Sequence, residues 1–169
     1  INDVYDARRD IVTSTEHALD YLVFLSDHYE GDWHKALAAY NAGWGTIDRA
    51  IAKNRAAGKR TDYWSLDVPA ETRAYVPKFL ALVELSKNPQ KYHYNWPYTP
   101  NYPYFTAVKL PHNIDINYAA DLAGIDVDEI HRLNPGLAKD FTPPGGPHRL
   151  LLPVDQANGF SEQLAQLTY

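Results

Sequence analysis

The sequence has 169 residues, 45% of them apolar and 13% aromatic, which is enough for one ordinary domain or two small ones and excludes general disorder. A net charge of −5 and a calculated pI near 5.7 exclude the basic patch that a nucleic-acid surface needs, and the apolar runs are too short and too interrupted by charge to span a membrane. The absence of cysteine excludes disulfides and thiolate metal sites without assigning a compartment, and with no methionine, Ile1 is expected to follow processing, excision or an N-terminal part outside this sequence.

Residues 1–12 read as a lead-in in which Val4, Tyr5 and Ile11 can pack while Arg8 and Arg9 bracket acidic neighbours. Thr13-Ser14-Thr15-Glu16 has the form of a capping box, opening a helix over about 14–30 whose apolar face is Ala18, Leu19, Leu22, Val23, Leu25 and Tyr29. Gly31 stops it, and Asp32 caps a second helix on which Trp33, Ala36, Leu37 and Tyr40 recur at helical spacing. Gly43 and Gly45 lie just past the last periodic residue, which puts Tyr40 and Asn41 on the final turn. A phenol and a carboxamide at a helix end, beside the glycine-bracketed Trp44, suit a groove for a hydrogen-bond-rich ligand such as a sugar. The same residues also suit a core tyrosine followed by a helix-stop asparagine, and the spacing leaves both readings open. Thr46 is expected to open a third helix with Ile47, Ala50 and Ile51 inward, ending near Gly58. A single turn is expected at 62–66. Pro69 suits the first turn of a fourth helix, Pro77 is expected to kink it and push Tyr75 outward, and Phe79, Leu80, Val83 and Leu85 then rebuild a core face up to Asn88-Pro89.

From Tyr92 to Phe105 aromatics alternate with Pro97, Pro100 and Pro103, a composition that favours an extended connector whose rings either pack on the domain they leave or stack on sugars. Beyond it Phe105–Leu110 alternates like a strand and Ile116–Ala123 reads as a helix stopped by Gly124. Asp126-x-x-Glu129 caps a further helix containing Ile130 and Leu133, and Leu150–Leu152 reads as a second strand. Phe160, Leu164 and Leu167 suggest a last docked helix. The expected fold class is mainly α with a small βααβ module, divided as 1–91, a linker 92–104, the module 105–154 and a helical tail 155–169.

The run Ala38-Ala39-Tyr40-Asn41-Ala42-Gly43, followed by Glu71-Thr72-Arg73-Ala74-Tyr75-Val76-Pro77, resembles the second half of the goose-lysozyme-type catalytic domain of the lytic transglycosylases. Tyr5-Asp6-Ala7-Arg8-Arg9-Asp10-Ile11, Tyr63-Trp64-Ser65-Leu66 and Gly146-Pro147-His148-Arg149-Leu150-Leu151-Leu152-Pro153 extend the resemblance over nearly the whole chain. The βααβ unit is similar to a lysin-motif module, divergent because Pro111-His112-Asn113 stands where a glycine-aspartate is usual. The resemblance implies non-hydrolytic cleavage of peptidoglycan strands, in which one carboxyl protonates the leaving oxygen and the muramic 6-hydroxyl closes onto C1. It implies that Tyr40 orients that carboxyl or the muramyl unit, that Asn41 contacts an acetamido group, that Tyr75 lines the site opposite, and that Glu71 anchors a helix start nearby. The family's catalytic glutamate, in a Glu-Ser motif, and its Gly-x-x-Gln motif precede the segment matched at Tyr5, and neither motif occurs in this sequence. No catalytic residue is therefore expected in this chain, and its partners are expected to be the glycan strands and the remaining half of the domain. Periplasmic location is implied in the same way, with any outer-membrane anchor supplied by a lipid outside this chain.

A non-catalytic glycan-binding or scaffolding protein with a lysozyme-like groove is the alternative. None of the seven histidines stands at metal-ligand spacing and Gly43-Trp44-Gly45 follows a helix rather than a strand, so neither a metal nor a cofactor is expected.

Overall fold

The structure, a computed structural model, describes residues 2–166; Leu167, assigned above to the last helix, lies outside them. Among the described residues are seven α-helices and two strands: α1 (Ile11–His28), α2 (Trp33–Ala42), α3 (Trp44–Ala56), α4 (Ala70–Lys87), β1 (Phe105–Lys109), α5 (Ile116–Ala123), α6 (Val127–Leu133), β2 (Arg149–Pro153) and α7 (Val154–Gln166). The chain is mainly α with a small α+β part, and it forms two compact units. One is His17–Thr99; the other joins the residues up to Glu16 to those from Pro100 onward. The packing boundary falls at Thr99, and the lead-in segment packs with the C-terminal module.

In the helical unit, α2 packs against α3 and α4 around Leu25, Leu37, Ile47, Tyr63 and Val76. Asp32 caps α2 as expected, accepting from the backbone N–H groups of His34 and Lys35. Gly43 ends α2 and starts α3 at φ 82°, a value open to glycine and strained for other residues. Helix α3 therefore begins at Trp44, two residues before Thr46, whose hydroxyl accepts from the Arg49 guanidinium instead of capping. The turn expected at 62–66 is a 3-10 turn, Tyr63–Ser65.

Helix α4 runs through Pro77 without interruption. The proline ring is exposed, while Thr72 and Val76 hold the opposite face in the core, so packing outweighs the one lost ladder bond. Tyr75 is accordingly half-buried against the helical core rather than pushed outward. Nor do Phe79, Leu80, Val83 and Leu85 form a buried face: Phe79 is exposed and the other three are half-buried. Past α4, Glu84 accepts from Lys91, Tyr92 and Asn88, tying the 3-10 turn Pro89–Tyr92 back to the helix.

Helix α1 starts three residues before the expected position. Asp10, not Thr13, is its cap: the Asp10 carboxylate accepts the Thr13 N–H at 2.8 Å, and Glu16 is exposed. On its predicted apolar face Leu25 and Tyr29 are buried and Leu22 is half-buried, whereas Leu19 and Val23 are exposed at 57% and 56%. An amphipathic pattern says which side of a helix is apolar, but not how much of that side a neighbour covers.

In the module, β1 and β2 pair antiparallel, Phe105 opposite Pro153 and Lys109 opposite Arg149. Gly124 ends α5 and Asp126 caps α6, as expected, while Asp115 caps α5, accepting the Tyr118 N–H. Helix α7 lays Phe160 and Leu164 into the core formed by Ile116, Ile130, Leu150 and Leu152. Two buried polar side chains stitch the loops: Asn134 donates to the carbonyls of Ile130 and Leu151 and accepts the Leu151 N–H, and Thr142 accepts the Ile114 N–H.

The lead-in docks on this module through backbone and charge. Asp6 N–H donates to Gly136 O and Ala138 N–H to Val4 O, both at 2.8 Å. A Cβ on Gly136 would lie 3.0 Å from the Tyr5 ring and 3.1 Å from the Asp6 carbonyl, so the approach requires glycine. Arg149 then reaches Asp10 at 2.7 Å and Thr13 at 2.8 Å, and Tyr5 donates to the other Asp10 oxygen at 2.8 Å. Burial raises the Asp10 pKa, but the bonds from Thr13, Tyr5 and Arg149 and the Arg149 charge outweigh it and hold the carboxyl below its ordinary value. A carboxylate whose pKa falls on folding adds stability above its unfolded value, about 3.9, and that stability is lost as pH drops through the lower folded value. Arg149→Met should cost about 2–3 kcal/mol in a denaturant titration and flatten the loss of stability below about pH 4. An acid profile identical in both proteins would contradict the clamp.

Candidate functional site

The corner where α2 turns into α3 holds the sequence-predicted residues. Asn41 is fixed at both ends of its carboxamide: Nδ2 donates to Glu71 Oε1 at 3.1 Å, and Oδ1 accepts the Thr72 hydroxyl at 2.7 Å. Thr72 is 1% exposed, and its backbone carbonyl accepts the Tyr63 hydroxyl at 3.0 Å. Burial raises the Tyr63 pKa more than the Arg73 charge lowers it, keeping that hydroxyl a donor. Glu71, in the first turn of α4, sits where a helix N-terminus favours an anion.

A primary amide offers two donors and two acceptor lone pairs. One N–H of Asn41 goes to Glu71 and one lone pair to Thr72, which leaves one donor and one lone pair for a ligand.

Tyr40, next to Asn41, is exposed and lies 5.9 Å from the Tyr21 ring. Tyr75 stands one helical turn beyond Glu71 on α4, stacked on Phe79 at 6.5 Å. The structure thus joins Asn41 directly to Glu71 and sets Tyr40 and Tyr75 on the two helices that this bond links.

Sequence reasoning missed Thr72 as the partner of Asn41 and missed a row of rings leading away from Tyr40. Tyr21 stacks on Phe24 at 6.0 Å, Phe24 meets the edge of Trp44 at 6.4 Å, and His28 lies 5.3 Å from Trp44. Tyr21, Phe24 and Trp44 are all exposed. The signal was present: positions 21, 24 and 28 share a helix face distinct from the aliphatic one. His28 and the Tyr29 hydroxyl both reach Asp48, each at 3.1 Å, and Tyr29 also donates to the Trp44 carbonyl. Burial, reinforced by the Asp48 charge, raises the Tyr29 pKa and keeps the phenol protonated.

Two family models match the chain in order, the transglycosylase SLT domain over residues 1–63 and the LysM-like domain of lytic transglycosylase MltD over residues 104–169. Over 161 residues, 95% of the chain, it is 40% identical to membrane-bound lytic murein transglycosylase D from Escherichia coli K12, and the same holds for the protein of that name from E. coli O6:H1 strain CFT073. Along nearly its whole length the chain is similar to MltD-like lytic transglycosylases. It spans 36% of the length of these two relatives. Tyr40 and Asn41 fall inside the SLT match, whereas Glu71 and Tyr75 lie beyond it. The described part of this MltD-like chain has no helix long and apolar enough to cross a membrane.

Asn41→Ala should leave the buried Thr72 hydroxyl without its acceptor and cost about 1–3 kcal/mol in urea unfolding followed by tryptophan fluorescence. Unchanged stability would mean that the α2–α4 bond is not holding the corner.

Proposed function

We propose that this chain is part of a lytic transglycosylase that cleaves the bond between N-acetylmuramic acid and N-acetylglucosamine in peptidoglycan, leaving a 1,6-anhydro end. What carries the reading is the 40% identity to murein transglycosylase D over 95% of the chain. The free donor and acceptor on Asn41, aligned by Glu71 and Thr72, support it chemically.

In this reading the carboxyl that protonates the leaving oxygen, and then takes the 6-hydroxyl proton, comes from a preceding part of the same protein. Tyr40 orients that carboxyl or the muramyl unit, Asn41 receives the acetamido group, and Tyr75 lines the opposite wall of one groove. No second carboxylate is needed, because the 6-hydroxyl takes the place of a protein nucleophile. The protein works in the periplasm, with an anchor to the outer membrane supplied outside this chain; the description of both relatives as membrane-bound supports this.

A protein containing this chain and a preceding Glu-Ser segment should release 1,6-anhydromuropeptides from purified murein, detectable by mass spectrometry. Release of none would overturn the enzymatic reading and favour a non-catalytic glycan binder. In that protein Tyr75→Phe, which removes only the hydroxyl, should lower turnover about tenfold with little change in melting temperature. A loss of more than about 1 kcal/mol of stability with turnover intact would assign the hydroxyl to a structural bond.

A further inference from the structure

The ring row that starts at Tyr40 ends at a concavity. His28 touches Phe24 and Trp44 on one side, and on the other it lines a depression of about 340 Å³ together with Glu30, Lys35, Asp48, Arg55 and Thr61. That volume is at the lower end of the range for small-ligand sites, about 300–1,000 Å³.

The charges around it are of two kinds. Asp48 is committed to His28 and the Tyr29 hydroxyl, and Lys35 to Asp32 at 2.9 Å, so these groups fix the walls. Arg55, in the last turn of α3, and Glu30, just past the end of α1, are both exposed, and neither forms an ion pair among the described residues. The depression thus offers one uncommitted cation and one uncommitted anion, and not to each other. A neutral sugar can hydrogen-bond to either but neutralises neither. A ligand carrying both a carboxylate and an ammonium would use both.

Peptidoglycan supplies such a ligand on the same polymer, because its glycan carries short peptides with free carboxylates and, on a diamino acid, a free ammonium. From Tyr21 to His28 along α1 is a rise of about 10 Å, roughly the length of one disaccharide, so a strand seated at Tyr40 and Asn41 can deliver a peptide to the depression. Resting on the murein reading above, we propose that the depression binds the zwitterionic peptide stem, with Arg55 on a carboxylate and Glu30 on the ammonium. The chain then distinguishes peptide-bearing from naked strands through a site separate from Asn41 and Tyr75. Charge-assisted hydrogen bonds from an exposed rim add modest affinity, and they weaken as salt rises.

The test is isothermal titration of the whole chain with two soluble glycans, a peptide-bearing murein oligomer and the same oligomer stripped of peptide by an amidase. The peptide-bearing oligomer should bind about fivefold or more tightly, and Arg55→Gln and Glu30→Gln should each bring its affinity toward that of the stripped oligomer. Both side chains are exposed, so the melting temperature should hold and a folding defect would be visible separately. Equal affinity for the two oligomers overturns the proposal while leaving the murein reading in place. A peptide preference that survives both substitutions also overturns it, by putting recognition elsewhere. Binding of neither oligomer also overturns the proposal, while the murein reading stands or falls on release of 1,6-anhydromuropeptides by the longer protein.

Discussion

The helical unit depends on one carboxamide. Asn41 sits at the last turn of α2 and grips the first turn of α4 from both sides, its oxygen on Thr72 and its nitrogen on Glu71. Because Thr72 is buried, its hydroxyl must find an acceptor inside the protein, and Asn41 is that acceptor. Glycine at 43 lets the chain reverse straight into α3, so Asn41, Tyr40 and Trp44 stay at one corner. A residue that secures two helices in this way is also held in one orientation, and that rigidity is what a recognition group needs. The sequence offered a helix-stop residue or a ligand contact as alternatives. The two are not exclusive in valence, since the amide has one donor and one lone pair beyond those it gives to Glu71 and Thr72.

The module is held by a different kind of constraint. Its core is apolar, but its loops are fixed by Asn134 and Thr142, and its contact with the lead-in by Arg149 and Asp10, residues 139 positions apart. Those polar groups lie among buried neighbours, where each is costly alone and stabilising when paired. The lead-in is thus structurally a piece of the module although it is contiguous in sequence with α1. Local composition gave no hint of that.

Where local chemistry decides a boundary, the sequence showed it. Asp32, Gly124 and Asp126 end or begin helices as expected, and both expected strands form and pair. Where a distant partner decides, it did not. The sequence pointed to Thr13 as the cap of α1, but Asp10 takes that place, and an Arg149 bond from the far end of the chain accompanies it. Pro77 carries a real local penalty, but a buried Val76 and an exposed ring let the helix continue. The placement of Tyr40 and Asn41 on the last turn of α2 was legible because glycine marks that end. Thr72 was not, since nothing local marks a threonine as the acceptor's partner, and the ring row needed α1 and the α2–α3 corner to be brought together.

The central claim is that Asn41 presents its remaining hydrogen-bonding capacity to a sugar acetamido group. The side-chain amide resonances of Asn41 report on this directly, observed in the whole chain while a peptide-free murein oligomer is added. Both amide protons should shift in a saturable, dose-dependent way, the outward one more than the one held by Glu71. Resonances that stay fixed while others in the helical unit move to saturation would show that glycan binds without Asn41, and would contradict the account.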